Sequence, residues 1–202
     1  MITAKQIERS IERSIGRVAK EFRQGTVNFR CERNYQCLLF KYLREMPGSR
    51  IPSEEYKAGI ELVHAEFPAS NRAKEHYDLV ILTHSSAKKF ERGYGDKVGD
   101  WAKKMRLMSV FEAKHRLTLT YDKEIEKDIR RLKWIQRKKI TKHAYLLIFI
   151  DNEVDWNNYN YRSVLRRFER NSKKCPGLEI YCIPGQSGDM LRIKRSRAIV
   201  IF

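Results

Sequence analysis

The run Ala144-Tyr-Leu-Leu-Ile-Phe-Ile150 contains no charge and no turn-forming residue. A strand with one wet face alternates apolar and polar side chains. An unbroken apolar run is therefore a strand covered on both faces, the situation of a sheet packed between helices. The run is far short of the roughly 18 residues that a membrane span needs, and no other uncharged stretch comes near that length. Around it the chain offers matching pieces. Ile7, Ile11, Ile15, Val18 and Phe22 recur at steps of three and four, predicting a helix over 4–22, with Thr3 and Gln6 in the positions of a capping box. Tyr35, Leu38, Leu39, Tyr42 and Met46 predict a second helix over 32–46, stopped by Pro47-Gly48. Strands are expected at 60–67, 78–82 and 109–114, and a helix with a basic outer face over 123–139. After the apolar run come a helix around 161–168 and two last strands, near 178–183 and 191–202. The segment 83–104, rich in Lys, Gly and Ser, is expected as a mobile excursion on the strength of Gly93, Gly95 and Gly99. The order predicts an α/β fold with a central mixed sheet flanked by helices.

Composition narrows the partners. The 202 residues carry 42 Lys and Arg against 25 Asp and Glu, a net charge of +17, which concentrates polyanions at the surface and makes nucleic acid the first partner to consider. The charge is uneven. Residues 101–150 hold 14 basic and 5 acidic side chains, whereas residues 51–100 hold 7 basic and 9 acidic. A protein that only coats nucleic acid has no use for such acids, while a phosphodiester hydrolase gathers carboxylates around a metal inside a basic surface. The beginning of the sequence is charged throughout, without the apolar stretch of a signal peptide, so the expected location is cytoplasmic. Cys31, Cys37, Cys175 and Cys182 show no CxxC spacing and are expected as thiols. His64, His76, His84, His115 and His143 have no zinc-site spacing, and no GxxxxGKS or GxSxG motif occurs.

Chemistry concentrates in Glu112-Ala113-Lys114. On a strand, Glu112 and Lys114 leave the same face about 7 Å apart, with Ala113 pointing to the other. Asp78 opens a neighbouring apolar strand. Two carboxylates and one ammonium at the ends of buried strands are costly to desolvate unless an ion or a substrate occupies the site.

At these residues the sequence resembles the PD-(D/E)XK nuclease superfamily. The pattern comprises Glu32 in CERNYQCLLFKYLRE, Asp78 in HYDLVIL, Glu112 and Lys114 in SVFEAKH, the helix KEIEKDIRRLKWIQRKK and the strand AYLLIFI, in that order over residues 29–151. Tyr77 stands where the pattern has Pro. The resemblance implies a restriction-endonuclease-like core over 29–202 with residues 1–28 as an N-terminal helical arm. It implies Mg²⁺-dependent endonuclease activity on DNA, duplex above all, with Mn²⁺ able to substitute and RNA as the other polymer cut. Asp78, Glu112 and the Ala113 carbonyl would ligate the metal, Lys114 would orient or activate the attacking water, and Glu32 would assist, with Glu66 its rival as the additional acid. Lys127, Arg130, Arg131, Lys138 and Lys139 are the expected phosphate contacts, the alternative being a solvated helix face. Tyr121, Trp134, Trp156, Tyr159 and Tyr161 are open to base stacking or to core packing. One core holds one site for one strand, so a double-strand cut calls for a homodimer. The apolar face of the first helix would meet either a partner or its own core. The competing function is a non-catalytic nucleic-acid-binding protein that keeps the fold.

Overall fold

The computed structural model describes residues 4–25, 31–53, 57–68, 76–92, 105–152, 154–185, 189–195 and 197–201. Five helices are described: α1 (Ala4–Gln24), α2 (Glu32–Arg44), α3 (His84–Arg92), α4 (Lys123–Arg137) and α5 (Tyr159–Lys173). The strands are β1 (Arg50–Ile51), β2 (Ile60–Glu61), β3 (Val63–Pro68), β4 (His76–Leu82), β5 (Leu107–Arg116), β6 (Thr141–Ile150), β7 (Leu178–Pro184), β8 (Met190–Lys194) and β9 (Arg197–Ile201). Strands β3 to β9 form one seven-stranded sheet in sequence order, and β1 and β2 form a separate antiparallel pair. The large sheet is mixed. Strands β5, β6 and β7 are parallel, and every other pairing in it is antiparallel. No described helix is long and apolar enough to cross a membrane.

Parallel neighbours need crossovers, and α4 and α5 supply them. Asp122 caps α4 by accepting from Ile125 N at 2.9 Å, while Glu124 and Glu126 in the first turn meet the positive end of the helix dipole. Its stripe of Ile125, Ile129, Leu132 and Ile135 is at most 1% exposed. Helix α5 lies beside it, joined by Lys133 Nζ donating to Asn171 Oδ1 at 3.0 Å. Register pairs Lys114 with Ile148 and His115 with Phe149, so these two pairs look to opposite faces of the sheet. Helices α4 and α5 cover the Lys114 face. Helices α1 and α2 cover the other, where Tyr35 of α2 stacks on Phe149 at 4.0 Å and Phe22 of α1 meets the same ring edge-on at 5.6 Å. Covered on both sides, the apolar run has no wet face to serve: every residue from Ala144 to Ile150 is at most 2% exposed.

The strand expected over 60–67 is two, β2 and β3, in different sheets, and other segments bear on the sequence expectations as well. The resemblance implies residues 1–28 as an arm and leaves the apolar face of α1 to a partner or to its own core; Ile11, Ile15 and Val18 are buried in the same core as the sheet. The excursion after Thr83 starts as helix α3, whose first turn is held by Ser86 N donating to Thr83 Oγ1 at 3.3 Å; Gly93, Gly95 and Gly99 lie outside the described residues, as does Thr3. The last strand is two, β8 and β9, reversing at Arg195 with φ 49°.

Candidate active site

Asp78 and Glu112 come together because β4 and β5 are antiparallel with Leu79 opposite Phe111, which brings the residue before Leu79 across from the residue after Phe111. Asp78 Oδ2 accepts the Ala113 N–H at 2.7 Å. Glu112 is 1% exposed, and Ala113 points into the core at 3%. Two residues further on, Lys114 leaves the same face as Glu112, and its Nζ reaches Glu32 Oε2 at 3.2 Å and Asp128 Oδ2 at 3.4 Å. Glu32 is in the first turn of α2, where a carboxylate is favoured by the dipole. Its other oxygen faces Arg116 at 3.4 Å, and Arg116 in turn holds Asp122 at 3.0 Å and Glu124 at 2.7 Å. One arginine thus ties the end of β5 to the starts of α2 and α4. Gln36, one turn after Glu32 on α2, hydrogen-bonds Asp78.

Burial raises the Asp78 pKa above the ordinary carboxylate value, against the pull of the Ala113 N–H and of Lys114. Burial pushes Glu112 well above its ordinary value too, and the neighbouring Asp78 charge pushes the same way; Arg131 and Lys114 oppose and do not offset it. Glu112 Oε1 has no aligned hydrogen bond among the described residues, although Arg131 approaches it at 2.5 Å. For Lys114, burial works against the charge, but Asp128, Glu32 and Asp78 outweigh it and hold the pKa above the usual lysine value. Lys114 is accordingly an ammonium at neutral pH. It can donate hydrogen bonds and offset negative charge, but it has no lone pair with which to take a proton.

A buried and a half-buried carboxylate whose charges repel, the buried one with an oxygen lacking an aligned hydrogen bond, are a donor set suited to a hard divalent cation. Among the described residues no three Asp, Glu, His or Cys side chains already form a closed cage.

The remaining expected residues separate. Glu66 lies on β3 between the pairs Ala65–Leu79 and Phe67–Tyr77, across from Asp78, but it is exposed with φ 50°. A non-glycine residue in that region costs about 1–3 kcal/mol and such strain gathers at functional sites. Glu32, unlike Glu66, is in contact with Lys114. Tyr77, in place of Pro, is buried, with the Arg131 guanidinium 5.5 Å from its ring centroid. Lys127, Arg130, Lys138 and Lys139 are exposed. Eleven residues of helical rise put Lys127 and Lys138 about 16 Å apart along α4. Arg131 departs from the expected basic face: its guanidinium turns inward to Glu112 and to Asp128, the latter at 3.3 Å. Trp134 and Tyr159 are exposed, at 51% and 79%, whereas Tyr121, Trp156 and Tyr161 pack against the core. His115 pairs with Asp151 at 2.8 Å, away from Lys114.

Asp128, Gln36 and Arg116 join the site without having been expected there from the sequence. Asp128 carries a signal all the same: it falls between Ile125, Ile129 and Leu132 on the apolar stripe of α4, where an acid needs a partner from the sheet. No family model, no curated protein and no solved structure matches the chain.

Proposed function

We propose that the protein is a divalent-metal-dependent endonuclease of the PD-(D/E)XK kind, with a restriction-endonuclease-like core, hydrolysing phosphodiester bonds of DNA. The observation that carries this reading is the meeting of Asp78, Glu112 and Lys114 on one face of two antiparallel strands, with Glu32 from α2 on the Lys114 ammonium. Asp78, Glu112 and the Ala113 carbonyl would hold Mg²⁺, or Mn²⁺ in its place. When bound, such an ion supplies charge neutralisation at the phosphoryl oxygens and a more acidic water.

The chain's own groups do the rest. Lys114 donates hydrogen bonds to the attacking water and offsets the negative charge that builds on the phosphoryl oxygens as the P–O bond to the leaving oxygen breaks. The products are one phosphomonoester end and one hydroxyl end. Glu32 and Asp128 keep the ammonium over the site rather than in solvent. The site lies toward the carboxyl end of β5, the usual ligand-binding end of parallel strands. Lys127 and Arg130, exposed on the turns of α4 beside Asp128 and Arg131, are placed to hold the substrate backbone.

The test is cleavage of supercoiled plasmid, single-stranded DNA and structured RNA with Mg²⁺ or with EDTA, using the intact chain, Asp78→Ala and Lys114→Ala. Metal-dependent DNA cleavage, absent in Asp78→Ala, is expected. Lys114→Ala should slow single-turnover cleavage by about two orders of magnitude with little change in DNA affinity, and Lys114→Arg should rescue poorly because a planar guanidinium replaces a compact ammonium. Full activity in Asp78→Ala refutes the assignment, and DNA binding without cleavage in the intact chain favours the non-catalytic reading.

A further inference from the structure

Arg131 shares a helix with Lys127 and Arg130 but not their surroundings. One terminal nitrogen lies 2.5 Å from Glu112 Oε1 and 3.3 Å from Asp128 Oδ1, and the other donates to the His76 carbonyl at 3.0 Å. The guanidinium is therefore seated against Glu112, a carboxylate that the site would offer to a metal ion. Resting on the nuclease reading, we propose that Arg131 is a built-in competitor of the divalent ion: its guanidinium occupies Glu112 in the metal-free site and must draw back for the ion to bind, so that Arg131 sets the metal affinity.

Three features support an exchange rather than a fixed ion pair. A guanidinium and a divalent cation drawn to the same carboxylate repel each other, and in a buried site that repulsion is strong. Arg131 has somewhere to go: Asp128, one turn back on the same helix, already holds it, and the side chain is 22% exposed, so it reaches solvent by rotating its own bonds. Its attachment is also incomplete. The Nε is buried without a hydrogen-bond partner among the described residues, and the contact to Glu112 Oε1 is not an aligned hydrogen bond. By contrast Arg192, at the other end of the sheet, is locked on Glu179 through an aligned Nε hydrogen bond at 2.8 Å and is held by Glu12 at 2.7 Å as well. Once displaced, Arg131 adds a cation to the rim beside Lys127 and Arg130, coupling metal binding to capture of a phosphate backbone.

The experiment is calorimetric titration of Mn²⁺ into the intact chain, Arg131→Gln, Arg131→Lys and Asp78→Asn, with Mn²⁺ electron paramagnetic resonance as a second readout of bound ion. Arg131→Gln should bind Mn²⁺ at least tenfold more tightly than the intact chain. Arg131→Lys, which keeps the charge but loses the planar fork, should tighten it by a smaller factor and serves if the Gln variant does not fold. Asp78→Asn should abolish binding. Unchanged or weaker Mn²⁺ affinity in a folded Arg131 variant, with binding still lost in Asp78→Asn, overturns the competitor role and leaves the nuclease reading standing. No Mn²⁺ binding by the intact chain or by either Arg131 variant overturns both.

Discussion

Replacing Glu112 by Gln keeps the shape of the side chain and removes its charge. Glu112 is 1% exposed and its pKa is raised well above the ordinary value, first by burial and then by Asp78. Between the ordinary carboxylate pKa and the raised one, the folded protein binds a proton that the unfolded chain has lost, so stability falls as pH rises through that window. Every tenfold weakening of the acid on folding corresponds to about 1.4 kcal/mol. Against this stands the Arg131 ion pair. Removing one partner of a buried pair costs about 3–5 kcal/mol when the other charge is stranded, but Arg131 keeps Asp128 and the His76 carbonyl and is partly in water. Burial therefore wins, and Glu112→Gln should stabilise the metal-free protein at pH 8, seen as a rise in Tm. Toward about pH 3, below the ordinary glutamate pKa, both states are protonated and the gain should vanish. The assay is thermal unfolding by circular dichroism across that range in EDTA. At 100 times its Kd, Mg²⁺ stabilises a binding protein by about 2.7 kcal/mol, so Mg²⁺ should raise the Tm of the intact chain and leave that of the Gln variant behind. A Gln variant less stable than the intact chain at pH 8 in EDTA would overturn this balance, because the ion pair would then outweigh desolvation.

Replacing Lys127 and Arg130 by Ala should lower the slope of log DNA affinity against log salt by about 0.9 per lost contact for duplex DNA, measured by fluorescence anisotropy, whereas an unchanged slope makes them a solvated face. Ile15→Ala in α1, at a position 0% exposed, should cost about 2–5 kcal/mol in denaturant unfolding; a loss under about 1 kcal/mol would return α1 to the status of an arm.

Asp78, Glu112 and Lys114 were legible in the sequence because a strand has a period of two and its neighbours along the chain are apolar: one acid opening a buried run and an acid and a base one residue apart leave few placements open. Helices α1, α2, α4 and α5 were legible from stripes such as Ile7, Ile11, Ile15 and Val18. Other features carry no one-dimensional signal. The inward turn of Arg131 depends on Glu112 lying beneath it, and helical spacing alone assigns it to the outer face. Helix α3 shows little apolar periodicity, with Ala87 its one buried apolar side chain among the described residues. The reversal at Arg195 lacks the Gly, Asn or Pro that usually marks a tight turn, so β8 and β9 read as one strand.

The ion pair between Lys114 and Glu32 spans 82 residues of chain, a separation that decides when the protein becomes competent. Strands β5, β6 and β7 with their two helices occupy a continuous stretch, and they can assemble from neighbouring segments, whereas Glu32 and Asp78 are synthesised earlier and wait for a partner surface. A growing chain on the ribosome therefore displays the acids long before Lys114 and α4 exist to organise them. The constellation closes late in synthesis, when α2 docks on β5, and a truncated chain ending before Asp122 would carry Asp78, Glu112 and Lys114 without the helix that holds the ammonium in place.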